Sequence, residues 1–227
     1  MAKVLLDVGA HLGETLGVAL DPRWGFDSIH CFEPAPECWP AIEALADERT
    51  TLHRVGLWSS TGTLTLHDPG DIGASLYESK ARTRTSVDVS VVDAAEWFET
   101  NLGDDDEVLI KINCEGAELE ILNRLLDARR LARVSAMVVH FDLRKVPELR
   151  QAEHALRRRL ASEAVPVLGA EQILHGGNTA EKTRNWLRWY HSGRAAQIWY
   201  QHGMRLATAI RVALWRLREK YRNRRKS

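Results

Sequence analysis

Short hydrophobic runs alternate along this chain with amphipathic stretches, and the alternation predicts strands followed by helices. The hydrophobic runs, typical of strands covered on both faces, lie at residues 4–8, 28–32, 107–113 and 134–141. Helices are predicted within residues 15–20, 36–47, 93–102, 117–128 and 147–163. This order predicts an α/β, Rossmann-like fold in which a mostly parallel sheet carries helices on both faces.

The third strand is predicted at residues 51–58. A second pattern then interrupts the alternation of strands and helices. Polar and apolar residues alternate at 63–67 and again at 86–92, which predicts an antiparallel hairpin inserted into the fold. The glycine-rich segment between its arms, 68–75, suits a flexible lid, an acceptor contact or an idle surface loop. Further along, residues 165–168 predict a short edge strand, where proline is tolerated.

Charge divides the chain into two parts. Its 227 residues are 44% hydrophobic and 27% charged, with a formal net charge of zero, as in an ordinary globular protein. From Lys182 to the end, however, 13 Lys and Arg stand against one acid, Glu219, and the remainder holds 18 Lys and Arg against 30 Asp and Glu. We therefore predict an acidic α/β domain at residues 1–168 and a basic, aromatic-rich helical extension at residues 169–227.

The basic extension is open to three interpretations. A cationic amphipathic helix with interfacial tryptophans suits an anionic membrane surface. The same charge suits docking on the acidic domain of its own chain or of a second copy. Nucleic-acid binding is the least favoured, since no groove-reading motif accompanies the charge.

Several absences in the sequence bear on cellular location. No run of about 18 apolar residues occurs, so we expect no segment to span a membrane. Residues 1–3 lead straight into the first strand, which leaves no room for a signal peptide. The three cysteines, Cys31, Cys38 and Cys114, show neither disulfide nor zinc spacing, which favours a reducing compartment. We expect a cytoplasmic protein, with peripheral contact at the inner face of the membrane as an option.

The first strand runs into a turn typical of nucleotide-type ligand sites. Gly9 and Gly13 remove side chains where the backbone must approach a ligand or the next helix. His11 stands where the nicotinamide fingerprint requires its second glycine. A pyrophosphate clamp, and with it an NAD-dependent enzyme, is therefore disfavoured.

A carboxylate follows the second strand at a distance that suits a ribose. Glu33 lies 20 residues beyond Gly13, the spacing at which a Rossmann-type fold brings two carboxylate oxygens to the ribose hydroxyls. Pro34 then ends the strand. A third strand-to-helix turn follows at residues 109–118.

Three motifs carry a family resemblance. They read Asp-Val-Gly-Ala-His-x-Gly-Glu from Asp7, Phe-Glu-Pro-x-Pro-Glu from Phe32 and Ile-Lys-Ile-Asn-x-Glu-Gly-Ala-Glu from Ile110. In this order and spacing they resemble the FkbM family of S-adenosylmethionine-dependent methyltransferases, over roughly residues 4–141. The resemblance implies a seven-stranded class I methyltransferase fold and S-adenosylmethionine as the cofactor. Asn113 stands where the family more often has Asp, and in this it is similar to members linked to saccharide gene clusters.

Candidate site residues are expected to converge at the carboxyl ends of the strands, where open parallel sheets bind ligands. The predicted cofactor contacts are Asp7, Gly9, His11, Gly13, Glu14, Glu33, Pro34, Gly56, Leu57 and Asn113. His11 is expected either to contact the ligand or to pack the turn. Asn113 is expected to hydrogen-bond the amino-acid moiety of the cofactor or a bound acceptor.

Methyl transfer to a hydroxyl requires aligned partners and removal of one proton. His140 is the predicted base, because its ordinary pKa of about 6.5 lies near working pH, and a purely structural role is the alternative. Asp142 or Glu115 would orient it. Glu115 is otherwise expected to bind acceptor hydroxyls or to satisfy N–H groups at the helix start. No metal is predicted, since Asn113, Glu115 and Asp142 are few ligands for a hard cation.

We thus predict an O-methyltransferase that acts on a hydroxyl of a saccharide or glycoconjugate. One alternative is a polyketide or another secondary metabolite as the acceptor. The other is a non-catalytic cofactor-fold module recruited through its basic tail, against which the intact Asp7, Gly9, Gly13 and Glu33 argue. The expected partners are a small-molecule or glycan acceptor and, through the extension, a membrane surface or a second copy.

Overall fold

The computed structural model describes residues 1–162, 167–173 and 177–193. The chain divides into two compact units, Met1–Ala170 and a second one that begins at Glu171. Most of the predicted basic extension lies outside the described residues. Its described part includes one helix, Thr179–His191, which Asn178 caps by accepting a hydrogen bond from the Glu181 N–H. No helix among the described residues is long and apolar enough to cross a membrane.

Strands and helices alternate through the first unit in the predicted order. The strands are β1 Lys3–Val8, β2 Ser28–Phe32, β3 Thr50–His53, β4 Gly56–Trp58, β5 Gly62–His67, β6 Ser86–Asp93, β7 Glu107–Ile112, β8 Val134–Val139 and β9 Val167–Gly169. The helices are α1 Glu14–Ala19, α2 Trp39–Leu45, α3 Ala94–Asn101, α4 Glu118–Asp127 and α5 Ala152–Ser162, and α6 is Thr179–His191.

The central sheet has the strand order β3-β2-β1-β7-β8-β9, and every neighbouring pair is parallel. At the end of β1, Val8 pairs with Phe32 on one side and with Ile112 on the other. The two strands that flank β1 are thus β2 on one side and β7 on the other. The carboxyl ends therefore meet at one edge, with a topological switch point beside β1 where such folds bind ligands.

Helices cover both faces of this sheet, as predicted. Val4, Leu6 and Val8 of β1 share the main core with apolar side chains of α3, α4 and α5. Leu5 points to the opposite face because side chains alternate along a strand, and it is fully buried there. On that side α1 contacts β1 and β2, while α2 contacts β3.

Two helices begin later than predicted because a proline opens a tighter turn before each. Residues Pro36–Cys38 form a 3₁₀ turn ahead of α2, and Pro147–Leu149 form another ahead of α5. The start of α3 agrees with the prediction. Asp93 caps it by accepting hydrogen bonds from the N–H groups of Ala95 and Glu96.

The predicted hairpin is confirmed, but the predicted third strand is wrong in one respect. The two arms, β5 and β6, pair antiparallel with Leu64 opposite Val89. The stretch 51–58 is not one strand: it breaks after His53, and β4 leaves the central sheet to pair parallel with β6. The result is a second sheet of three strands, β4-β6-β5, which accompanies a central sheet of six described strands rather than the predicted seven.

A stacked histidine pair lies at the β2–β3 end of the central sheet. His30 Nδ1 and His53 Nε2 are 2.9 Å apart, and the His53 ring stacks on Phe32 with 4.5 Å between centroids. Trp97 of α3 presents its edge to both histidine rings. Burial, and then the neighbouring His30, lower the pKa of His53 to about 4. Burial also lowers the pKa of His30.

This pair should make the fold sensitive to acid. Below about pH 6.5 the unfolded chain takes up protons that the folded chain takes up only near pH 4, so the free energy of unfolding falls as the pH falls through this window. We expect His53→Gln to show a smaller fall, measured by urea unfolding at several pH values across the window. Exposed His154 provides the matched control, His154→Gln. Equal pH slopes for wild type and His53→Gln would contradict this account.

Candidate functional site

The turn after β1, residues 9–13, lies against the end of β7. Gly9 has φ +75°, and its N–H and that of Ala10 both donate to the carbonyl of Phe32 at 3.0 Å. A Cβ on Gly9 would lie 2.1 Å from the carbonyl oxygen of Asn113. Only glycine fits here, because both the backbone angle and the space exclude a side chain. Gly13, with φ +85°, leads into α1.

A buried ion pair supports this turn from within the sheet. Lys111 Nζ of β7 lies 2.8 Å from Asp7 Oδ1 and donates a hydrogen bond to the Gly9 carbonyl at 2.6 Å. The side chains of Lys111 and Asp7 are 3% and 0% exposed. Burial raises the pKa of Asp7, and Lys111 opposes that shift. Asp7 was predicted to contact the cofactor; the structure places its carboxylate under the turn, where it binds Lys111.

Glu33 lies at the end of β2, beside this turn. Its Oε2 accepts the N–H of His11 at 2.7 Å, and its Oε1 accepts the N–H of Ala35 at 2.9 Å. Burial raises the pKa of Glu33, while these two N–H groups oppose the shift. The carboxylate is therefore held by backbone donors on both oxygens. Pro34 follows it directly, and a Cβ on Gly56 would lie 3.7 Å from the Pro34 ring.

His11 and Glu14 form a carboxylate–imidazole pair at the same turn. His11 Nδ1 lies 3.0 Å from Glu14 Oε1, and the His11 backbone has φ +49°, which non-glycine residues rarely adopt. Burial raises the pKa of Glu14, but the hydrogen bond with His11 and one to its own backbone N–H outweigh it, and the net pKa lies below the ordinary value. The Nε2 atom of His11 is buried and has no hydrogen-bond partner among the described residues.

The turns after β7 and β8 bring the other candidates to the same edge. The N–H of Asn113 donates to the carbonyl of Val8 at 3.0 Å, and the N–H of His140 donates to the carbonyl of Ile112 at 2.9 Å. Asn113 thus lies beside the β1 turn, and His140 lies one strand further along. The Oδ1 atom of Asn113 is buried without a partner in the described part of the chain.

Glu115 forms ion pairs with two lysines. Its Oε2 forms ion pairs with Lys80, from the loop between β5 and β6, and with Lys145 at 3.3 Å. Lys145 also pairs with Asp142 at 2.9 Å. Burial opposes a charge on Lys145, but Asp142 and Glu115 outweigh it and raise its pKa. Glu115 is 9% exposed and has φ +52°, so a backbone angle that non-glycine residues rarely adopt lies within this charge network.

Glu118, the first residue of α4 and the last residue of the third motif, had no predicted role. It is fully buried, and its two oxygens accept the N–H groups of Gly116 at 2.7 Å and Asp142 at 2.6 Å. Burial raises the pKa of Glu118 to about 7, although its bonds to backbone N–H groups oppose the shift. An acid in the first turn of α4 is visible in the sequence. Its bond to Asp142, 24 residues further along the chain, is not.

The insert loop, residues 68–85, crosses this edge of the sheet. Asp68 joins the two ends of this loop, because its carboxylate accepts hydrogen bonds from the N–H groups of Arg82 and Thr83. On the β2 side, a Cβ on Gly70 would lie 3.2 Å from the side chain of Glu37. On the β7 side, Ser75 Oγ donates to the carbonyl of Glu115 at 2.8 Å. The loop therefore spans from the end of β2 to the end of β7.

Gly56 and Leu57, two of the predicted cofactor contacts, both lie in β4. Gly56 lies against Pro34, the residue after Glu33. The side chain of Leu57 is buried in the main core. Within the described ranges, no group of three or more His, Cys, Asp or Glu side chains is placed to hold a metal ion.

The parallel sheet, its switch point beside β1 and the carboxylate after β2 define the α/β fold class of class I methyltransferases. The model of the FkbM methyltransferase domain matches residues 7–187, and the chain belongs to this family. Among solved structures, the crystal structure of an FkbM methyltransferase from Methylobacillus flagellatus KT matches with 18% identity and a TM-score of 0.44. The match covers 69% of this chain and 37% of that one. No protein of curated function matches the sequence.

The close approach of Gly9 to the β7 turn gives a matched pair of variants. We expect Gly9→Ala to lower the free energy of unfolding by more than about 2 kcal/mol, because a side chain there meets both a left-handed φ and a backbone oxygen. Gly17→Ala, in α1 with open space around it, should instead stabilise by about 1 kcal/mol. Urea unfolding measures both. A Gly9→Ala variant as stable as wild type would show that the two turns are not in contact.

Proposed function

We propose that this chain transfers the methyl group of S-adenosylmethionine to a hydroxyl of a saccharide or glycoconjugate. Its family membership supports methyl transfer. One observation supports the rest of the proposal: the edge of the sheet has two chemically different halves. The buried carboxylate of Glu33 lies beside the β1 turn, and a cluster of paired lysines and acids lies beside the turns after β7 and β8.

The residues beside β1 and β2 fit the donor. S-adenosylmethionine carries the methyl group on a cationic sulfonium. When the methyl carbon bonds to the acceptor oxygen, the sulfur–methyl bond breaks and neutral S-adenosylhomocysteine leaves. A carboxylate has about four acceptor positions, and Glu33 uses two of them for backbone N–H groups, so it keeps capacity for a ribose hydroxyl. Glu14 adds a carboxylate whose pKa is lowered, which suits a positively charged guest.

The residues beside β7 and β8 fit a polyhydroxyl acceptor. Lys80, Lys145, Glu115 and Asp142 alternate in sign, so the cluster is balanced in formal charge. Ammonium groups only donate and carboxylates only accept, and neighbouring hydroxyls of a sugar can do both. A cluster with both kinds of group therefore matches vicinal hydroxyls better than it matches a strongly charged acceptor.

His140 is our candidate for the base that takes the hydroxyl proton. Its backbone lies at the end of β8, beside Ile112 and one strand from the β1 turn. The two acids named with it are already bound, Glu115 by two lysines and Asp142 by Lys145, so they hold the acceptor rather than remove its proton. Tyr77, whose ring would lie 3.1 Å from a Cβ on Gly116, is disfavoured as a base because burial raises the pKa of its hydroxyl.

We place this activity in the cytoplasm, because Cys31, Cys38 and Cys114 are all free thiols. We further propose that the basic extension brings the enzyme to an anionic membrane surface or to a second copy. Most of that extension lies outside the described residues, and its role rests on its charge and tryptophan content alone.

Calorimetric titration tests the donor. We expect S-adenosylmethionine and S-adenosylhomocysteine to bind and NAD not to bind. Glu33→Ala should weaken donor binding at least tenfold, or by about 1.4 kcal/mol, because the ribose loses its acceptor. Exposed Glu48 gives the control Glu48→Ala, which should bind as wild type does. Absence of donor binding to wild type would overturn the proposal and return attention to a non-catalytic module.

A second assay tests the acceptor. Purified full-length protein with S-adenosylmethionine should add one methyl group, seen by mass spectrometry, to neutral saccharides, with and without a metal chelator. His140→Gln should lower kcat by roughly a hundredfold with donor affinity unchanged, the usual size of a base contribution. Methylation of polyketides but not of saccharides would reassign the acceptor. Loss of transfer with chelator would make the reaction metal-dependent.

A further inference from the structure

The turns that carry the acceptor-side candidates are joined by one buried carboxylate. Glu118 Oε2 accepts the N–H of Gly116, in the turn after β7, and Glu118 Oε1 accepts the N–H of Asp142, in the turn after β8. These bonds are 2.7 and 2.6 Å long, and Glu118 is 0% exposed. It lies too deep to touch an acceptor, so any effect on the reaction must pass through the two turns.

We propose that Glu118 is a positioning residue of the acceptor half, which fixes the turns after β7 and β8 in one register so that Glu115 and His140 face the same acceptor. This rests on the proposed methyl transfer. Glu115 lies one residue before one anchored N–H, and His140 lies two residues before the other. A shift between the turns would therefore separate the acceptor-binding cluster from the base.

The role needs a carboxylate in particular. Two N–H donors approach two different oxygens, and each oxygen of a carboxylate accepts. A glutamine of the same shape has one accepting oxygen, and its amide nitrogen would face the second N–H donor. One of the two turns would then be released while the size of the buried side chain is kept. Packing alone would not distinguish these two side chains.

The donor half has a separate support, which supplies the contrast for an experiment. Lys111 holds the Gly9 carbonyl and pairs with Asp7, both in or under the β1 turn. None of the bonds of Glu118 described above reaches that turn. Loss of the Glu118 hydrogen bonds should therefore lower kcat/KM for the acceptor and leave the affinity for the donor unchanged. Loss of the Lys111 contacts should lower the affinity for the donor first.

The experiment compares Glu118→Gln, Lys111→Met and a control, Glu120→Gln, which lies in the same first turn of α4. Each full-length protein is assayed for donor affinity by calorimetry and for kcat and KM of the best neutral saccharide. Glu118→Gln should keep donor affinity within threefold and lose at least thirtyfold in kcat/KM for the acceptor. Lys111→Met should lose at least tenfold in donor affinity. Glu120→Gln should match wild type.

Amide hydrogen exchange, read by NMR, tests the same role without activity. In Glu118→Gln the amides of Gly116 and Asp142 should exchange faster, at least one of them tenfold, while those of Gly9 and Ala10 stay at the wild-type rate. If Glu118→Gln does not fold, Glu118→Asp keeps the charge, shortens the reach by one methylene and should give the same pattern.

The outcomes separate the two proposals. Unchanged exchange at Gly116 and Asp142 overturns the positioning role whether or not the enzyme is active. Equal losses of donor affinity and acceptor kinetics in Glu118→Gln also overturn it, because they indicate general destabilisation. If wild type neither binds donor nor transfers a methyl group, the proposed function fails, and with it the catalytic part of this inference, while faster exchange would still support the anchoring of the turns.

Discussion

The site depends on one buried interaction at the centre of the sheet, the contact of Lys111 with Asp7 and with the Gly9 carbonyl. A charge withdrawn from water is tolerated only with a partner, and loss of one member of such a pair costs roughly 3–5 kcal/mol. This pair joins β1 to β7, the two neighbouring strands between which the strand order reverses. The same ammonium group thereby fixes the strand pairing and the carbonyl that begins the β1 turn.

From this centre the edge of the sheet divides into two halves with separate supports. Beside β1 and β2, backbone N–H groups hold Glu33, and Lys111 holds the turn from below. Beside β7 and β8, Glu118 joins two turns. The insert loop crosses both halves, since it reaches Glu37 at one end and Glu115 at the other. Closure over a ligand would need changes in this loop rather than in the sheet.

The sequence predicted what short-range chemistry determines. Apolar runs located the buried strands, a capping Asp93 located the start of α3, and alternation located the β5–β6 hairpin. It did not show that β4 leaves the central sheet, because β4 pairs with β6, whose residues Val91 and Val92 lie far along the chain from Gly56 and Leu57. No role was predicted for Lys111, because the Gly9 carbonyl that it binds lies 102 residues away along the chain.

The same distinction explains why family membership says more about the donor than about the acceptor. The proposed donor side is built from turns that directly follow β1 and β2, so its residues fall into contiguous motifs with fixed spacing. The proposed acceptor side takes Lys80 from the insert loop and Lys145 from the segment after β8, and both form ion pairs with Glu115. Loops of this kind change in length and sequence without disturbing the sheet. Such loops can therefore diverge while the fold and the motifs after β1 and β2 stay recognisable, so the acceptor has to be argued from the site itself, here from the charges that meet at Glu115.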